Sequence, residues 1–565
     1  MEDRKETKGA PGRVPGKAPD TAKKASGNSA FIIQGSILAA SGIISSLIGL
    51  MYRLPLTRII GDQGNGYYSA AYNIYTIILL LSSYSLPLAV SKMVSARVGN
   101  REYKNALRIL KASLGYATIV GGTGFLVIWL GAGWFAESFL HIPEAAYPLM
   151  ALAPTVWIVS YLGVVRGYFQ GHSTMVPTAL SQIIEQIINA LVSVGAAWGL
   201  LHLAVRKGLG VQLSRAYGAM GGTIGTGAGS AAALITMLII LSVFMKRTRV
   251  RLKEDKTEHM ESYAEITKIL IMTVVPVILS TAIYNMSSIL DNAIFGQSMF
   301  ALGLQEQTAA DYGIYSAKYK LLINVPIMVA NSLSSSLIPA LSRANAARDR
   351  GQVEAGISNA IRFAMIIAIP SAVGLAVMAD PIISLLFGES GRAVFMMHVG
   401  AAGVIFYSLS TVSNAILQGT SHMRIPVRHA LMSMILHVGI LLFLLLVLKA
   451  GIYGVVISDM CFALSMCVLN GLSIRKLMTY RQEVRRTFVG PAFCAAVMGV
   501  VTWAAMTFLK RATGKVILFT LLPIMLAVAV YGSLLIKSGC VTENELVYFP
   551  KGRKLIRLAR KLKLL

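Results

Sequence analysis

The stretch GYYSAAYNIYTIILLLSSYSLPLAV, residues 66–90, decides the class of fold. It runs for 25 residues without an Asp, Glu, Lys or Arg. About 20 apolar residues in a helix cross the ~30 Å hydrocarbon core of a bilayer, so this stretch is long enough to span one. Working outward in both directions, apolar runs of similar length alternate with short polar breaks. Fourteen spans are expected, over 30–59, 66–90, 110–132, 146–168, 177–201, 217–245, 267–295, 312–338, 358–379, 393–417, 427–449, 452–473, 488–509 and 515–537. The pattern predicts an all-α polytopic membrane protein.

The composition agrees. Hydrophobic residues make up 55% of the 565 and charged residues 14%, against about 25% charged in soluble domains. The mean hydropathy is +0.64. A soluble enzyme, a disordered scaffold and a secreted disulfide protein are excluded. The four cysteines, Cys461, Cys467, Cys494 and Cys540, form no CxxC and have no histidine at metal-ligand spacing, so they read as small core residues.

The net charge of +27 could suggest nucleic-acid binding, but its placement follows membrane topology. The two tails and the connections after even-numbered spans hold 39 Lys and Arg, and the opposite side holds 10. Connections 133–145 and 297–311 hold none. By the positive-inside rule both termini are expected in the cytoplasm. No nucleic-acid partner is implied. Residues 1–28, rich in Gly, Pro, Ala and Lys, read as a disordered cytoplasmic tail that begins no signal peptide. At the other end Leu555, Leu558, Leu562 and Leu565 recur at helical spacing among lysines and arginines. Residues 539–565 therefore read as a basic amphipathic tail suited to an anionic leaflet, or as a solvated basic tail.

The two halves of the chain repeat. Gly66-Tyr67-Tyr68-Ser69-Ala70-Ala71-Tyr72 matches Gly313-Ile314-Tyr315-Ser316-Ala317-Lys318-Tyr319 at five of seven positions, 247 residues apart. Gln170-Gly171-His172-Ser173-Thr174-Met175 and Gln418-Gly419-Thr420-Ser421-His422-Met423 lie 248 apart, each followed by a proline, Pro177 and Pro426. The unit is six spans, an even number, so both copies face the same way. That predicts two six-helix lobes related by a pseudo-two-fold along the membrane normal, with a route between them. The expected organisation is an N-lobe over 29–250, a charged cytoplasmic linker over 251–264, a C-lobe over 265–478, and two appended spans within 487–538. In span 6, Gly221, Gly225 and Gly229 recur every four residues, a spacing that lets helices approach closely.

A charge inside a span costs about 2.5–3.5 kcal/mol on insertion scales, so by default it faces an aqueous cavity. Arg53 lies about seven residues inside the end of span 1. Lys318 and Lys320 enter span 8 to a similar depth from the same side. Arg166, near the end of span 4, reads as a snorkelling residue. Glu185 shares a helix face with Gln182 and Asn189, and is either a coupling or substrate group or a hydrogen-bonded structural glutamate. Asp291 lies beside Asn285 and Asn292, and either couples transport or pairs with a lysine of span 8. Tyr68, Tyr72 and Tyr75 share one face of span 2, suited to sugar stacking or to belt packing. His437 reads as structural. No G-x-x-x-x-G-K-[ST] loop, Gly-x-Ser-x-Gly elbow or His-Glu-x-x-His occurs, so no ATP site and no catalytic apparatus is read.

The stretch Tyr52-Arg53-Leu54-Pro55-Leu56-Thr57-Arg58-Ile59-Ile60-Gly61-Asp62-Gln63-Gly64-Asn65-Gly66, continuing through Tyr72, and Leu86-Pro87-Leu88-Ala89-Val90-Ser91-Lys92 resemble the stage V sporulation protein B group of bacterial polysaccharide-biosynthesis membrane proteins. That group belongs to the multidrug/oligosaccharidyl-lipid/polysaccharide exporter superfamily and is related to the lipid II flippases. The resemblance covers about residues 30–540. It implies an alternating-access flippase of the bacterial cytoplasmic membrane for undecaprenyl-diphosphate-linked sugars such as lipid II, with peptidoglycan synthases downstream. It implies diphosphate contacts from Arg53 and from Lys318, a lysine where the flippases tend to have arginine, with Lys320 alongside. Tyr68, Tyr72 and Asn285 are the sugar or polar contacts, and Glu185 and Asp291 the coupling candidates. No cofactor is expected, and the drive would be the membrane potential or a Na+ or H+ gradient. The alternative is a cation-coupled multidrug exporter on the same fold.

Overall fold

The computed structural model describes residues 21–541 apart from 256, 258, 389 and 390, together with 556, 557 and 560. The side chains at 21–36, 39, 247, 251, 276, 277 and 279–285 fall outside that description, as do most of the two tails read from the sequence. The described residues form helices and connections with no strand. The helices are α1 (Thr21–Ser82), α2 (Leu86–Gly99), α3 (Tyr103–Trp134), α4 (Ala146–Gly171), α5 (Val176–Arg206), α6 (Val211–Glu254), α7 (Tyr263–Ala301), α8 (Gln305–Ile314), α9 (Lys320–Ala346), α10 (Arg350–Val377), α11 (Ala379–Phe387), α12 (Arg392–Gly400), α13 (Gly403–Gly419), α14 (Arg424–Leu442), α15 (Ile452–Met478), α16 (Gly490–Thr513) and α17 (Val516–Lys537).

Eleven helical segments of the described residues are long and apolar enough to cross a membrane, or twelve if the pair α12 and α13, bent by 49°, is one span. Fourteen were expected. The difference arises partly because Ala40–Gly99 counts once. Its 60 residues would reach roughly 90 Å if straight, about three bilayer cores. It is not straight: α1 is two helices joined across a kink at Gly61. The long helix α7, 39 residues, is not among the eleven. The first helix also starts earlier than expected, at Thr21 rather than near 30.

The kink has a local cause. Gly61 has φ 69° and ψ 179°, open to glycine and strained for any residue with a Cβ. A break in a helix leaves carbonyls without their i+4 donors. Here side chains take them: Arg215 Nη1 donates to the Ile59 carbonyl at 3.0 Å, and Asn65 Nδ2 donates to those of Gly61 at 2.7 Å and Thr57 at 3.1 Å.

Packing follows the small residues. A Cβ on Gly221 or Gly225 would collide with α5 at Ala196 and Ser193, and one on Gly229 would sit 2.5 Å from the Glu185 carbonyl. The glycine ladder is thus a helix-packing seam. A C-half core gathers residues of α7 to α17, and Leu50 and Leu54 of α1 lie against it. At the basic end the connection after α6 is tied to the α2–α3 turn: Lys104 donates to Asp255 at 2.6 Å, Asn105 Nδ2 to the His259 carbonyl at 3.0 Å, and Arg97 pairs with Glu261. The four cysteines are free, three buried and Cys461 half-buried.

Candidate functional site

Residues that match across the 247-residue offset meet one another. A Cβ at Gly66 would fall on the Ala309 carbonyl, and one at Gly313 on the Asp62 carbonyl. Since 62 and 309, like 66 and 313, are themselves 247 apart, the two contacts are reciprocal. Ser69 and Ser316, a third such pair, share a hydrogen bond of 2.6 Å between their hydroxyls. The first turn of the helix after Gly61 and the second half of α8, from Ala309 to Gly313, therefore cross backbone to backbone at the Lys/Arg-poor end. Asn73 Nδ2 adds a 3.0 Å bond to the Tyr312 hydroxyl. Arg58 donates from Nε to the Leu386 carbonyl at 2.6 Å and from Nη2 to that of Leu385 at 2.5 Å, a cation set on the C-terminal carbonyls of α11.

Below the crossing each half carries a tyrosine stack under a cation. Tyr68 and Tyr72 stack with ring centroids 5.7 Å apart and planes 9° apart. Their counterparts Tyr315 and Tyr319 stack at 5.7 Å and 25°. The second pair lies in a wide π-helical turn, Tyr315–Tyr319, of a kind frequent at functional sites. Arg53 Cζ lies 5.8 Å from the Tyr68 ring centre, and Lys320 Nζ lies 5.4 Å from that of Tyr315.

The three cations read from the sequence have different surroundings. No described carboxylate pairs with Arg53; its neighbours are the phenols of Tyr52, Tyr68 and Tyr72. Lys318 is buried and pairs with Asp62 at 2.7 Å. Lys320 pairs with the buried Asp459, whose oxygens also accept from the hydroxyls of Tyr315 at 3.0 Å and of Tyr407.

The carboxylates read from the sequence also have partners. Glu185 accepts from Arg166 Nη2 at 2.8 Å and from Ser230 Oγ at 3.1 Å. Arg166 donates from Nε to Ser181 Oγ at 3.0 Å, so it is an ion-pair member rather than a snorkelling residue. Asp291 meets His437 Nε2 at 2.6 Å, not a lysine of span 8. His437 Nδ1 lies 2.9 Å from the Ser458 carbonyl, and the ring is fully buried. The side chain of Asn285 lies outside the described residues. Tyr75 extends the N-half stack, 5.5 Å from Tyr72. Asp62 and Asp459 were missed. Asp459 obeys the rule that singled out Glu185, a carboxylate within an apolar run; Asp62 falls in the break between the first two expected spans. Among the described residues no group of three His, Cys, Asp or Glu could hold a metal.

A sequence profile described as "Polysaccharide biosynthesis protein" matches residues 33–345, more than half of the chain. The chain belongs to the polysaccharide biosynthesis protein family. A second profile with the same description matches residues 305–395. This family member is 25% identical over 526 residues to stage V sporulation protein B of Bacillus subtilis (strain 168), covering 92% of this chain and 98% of that one. It is 23% identical over 537 residues to the lipid II flippase MurJ of the same organism, covering 90% and 95%. The solved structure of lipid II flippase MurJ in an inward closed conformation superposes with a TM-score of 0.64 at 14% identity, over 88% of this chain and 97% of that one. An inward-facing multidrug resistance MATE family transporter gives 0.62 at 14% identity, over 77% and 94%. The fold is thus the one shared by these two, and the polysaccharide biosynthesis family member is a multi-pass membrane protein. What it is similar to are flippases and transporters, not enzymes.

Proposed function

We propose that this protein is a flippase that carries undecaprenyl-diphosphate-linked oligosaccharide, with lipid II as the leading cargo, across the bacterial cytoplasmic membrane by alternating access. The observation that carries this reading is Arg53: a cation inside a span, over an aromatic face, with no described carboxylate to neutralise it. A diphosphate–sugar head group cannot cross hydrocarbon unaided, because each unsatisfied polar group there costs several kcal/mol. An uncompensated guanidinium is suited to its charge, and the Tyr68–Tyr72 face to its sugar. Lys318 of the facing lobe is a further diphosphate contact, with Lys320 beside it held by Asp459, and Asn285 is a polar one. The relatives named for flipping lipid II and for sporulation support the class of cargo.

In this reading the lobes 29–250 and 265–478, related by an axis along the membrane normal, rock against each other around the site between them. Both termini are cytoplasmic, and the crossing at Gly66 and Gly313 seals the outer end. The membrane potential supplies about 2.3 kcal/mol per charge per 100 mV, or an ion gradient acts through Glu185 or Asp291. The likeness to a multidrug transporter sustains one other reading, a cation-coupled drug exporter in which one of those carboxylates is essential. Translocation of labelled lipid II in vesicles tests the assignment. Arg53→Ala is expected to abolish it while expression is kept; parent-like rates from that variant would sink the site.

A further inference from the structure

Lys318 and Lys320 lie two residues apart on one helix, and their counter-ions come from different bodies. Asp459 of α15 holds Lys320 within the C-terminal half, so that pair travels intact when the halves move. Asp62, beside the Gly61 kink, holds Lys318 from the N-terminal half. Among the described residues this is the one ion pair between residues 21–254 and residues 305–537. It sits beside the backbone crossing itself, since Asp62 supplies the carbonyl against which Gly313 packs. The other contacts there are neutral or carbonyl-directed: the Ser69–Ser316 hydroxyl pair, the Asn73–Tyr312 bond and Arg58 on the α11 carbonyls. The Lys318 side chain is 7% exposed. Parting the halves at this end removes Asp62 from it and leaves a desolvated ammonium without an anion, the costly way to break a buried pair.

We propose that Lys318 is a shared cation. Asp62 neutralises it while the crossing is shut, and a diphosphate takes the place of Asp62 as the crossing parts. The inference rests on the flippase reading, whose cargo brings the diphosphate, and it gives Asp62 a role that reading does not: a competitor of the cargo that keeps the unloaded carrier closed. An ammonium suits such an exchange, being a compact point charge on a flexible stem that can leave one anion for another without a fixed fork geometry. Lys320 does not take part: its partner Asp459 lies within its own half and is held there by the hydroxyls of Tyr315 and Tyr407 as well.

A cysteine at the crossing reads the exchange. The full chain with Ser316→Cys is reconstituted in vesicles and its labelling rate by a membrane-impermeant maleimide is measured, with the parent chain as blank for the native cysteines. Labelling is expected to be slow alone and to rise at least tenfold with undecaprenyl-diphosphate-linked sugar. Inorganic pyrophosphate forms a second arm: a rise with either anion supports the exchange, and a rise with the lipid alone ties it to the cargo. Adding Asp62→Asn is expected to give fast labelling without any anion, Asp62→Glu to restore slow labelling, and Lys318→Gln to abolish the response to anions. Slow, anion-responsive labelling in both Asp62→Asn and Lys318→Gln overturns the exchange; if the parent still translocates the lipid, the flippase reading survives it. A parent that neither translocates the lipid nor changes its labelling overturns both.

Discussion

The two halves of the molecule solve the same problem differently. Each sets a cation on the first ring of a tyrosine stack, Arg53 on Tyr68 and Lys320 on Tyr315. In the C-terminal half the cation is neutralised by Asp459, which is itself satisfied by two tyrosine hydroxyls. In the N-terminal half no described carboxylate neutralises it. Residues matched across the 247-residue offset thus carry the aromatic platform twice and leave the unpaired charge once. The lesson is that position in a repeat does not fix role. A cation inside a span whose counter-ion is in place is architecture, and one without a carboxylate is available to an anionic ligand.

The comparison is broken most severely at the crossing that brings the halves together. Gly66→Leu or Gly313→Leu drives a side chain into the opposing backbone. A cost above ~3 kcal/mol is expected, read as loss of a monodisperse peak in detergent and of all translocation. Next, Asp459→Asn leaves Lys320 without its counter-charge. Stability is expected to fall by about 3 kcal/mol, at the lower end for a broken buried pair because Lys320 is partly exposed; thermal unfolding in detergent measures it. Arg53→Ala removes no ion pair and should change that unfolding temperature little, so matching losses from the two variants would erase the distinction between the halves. Arg53→Lys sharpens it: charge is kept but the bidentate fork is lost, and translocation is expected to drop roughly tenfold, the equivalent of about 1.4 kcal/mol. The smallest effect is expected from Glu185→Gln, about 1 kcal/mol of stability, because the pair with Arg166 keeps partial solvent access (side chains 15% and 20% exposed). A variant that keeps its stability but loses translocation would instead make Glu185 the coupling group.

Much of this architecture was legible in the residues. Uncharged runs marked an all-helical membrane protein, though eleven or twelve segments of the described residues qualify as spans rather than fourteen, and the 247-residue offset picked out the glycines and serines that meet at the crossing. Arg53 stood out because a charge in a span is costly. Pairing was not legible. Whether Lys318 meets Asp62 and Asp291 meets His437 depends on how helices 146 to 256 residues apart dock, and nothing local records that. Residues 60–65 read as a break between two spans rather than a kink at Gly61, because the repair of that kink by Arg215, beside the local Asn65, uses a side chain from a distant helix.

The most direct test is reconstitution of the parent and of Arg53→Ala in vesicles, with labelled lipid II and a labelled non-peptidoglycan lipid-linked sugar side by side under an imposed membrane potential. The parent is expected to translocate at least one of the two, and Arg53→Ala neither, at equal amounts of folded protein. A parent that moves neither lipid, or an Arg53→Ala variant that matches the parent, would contradict the account.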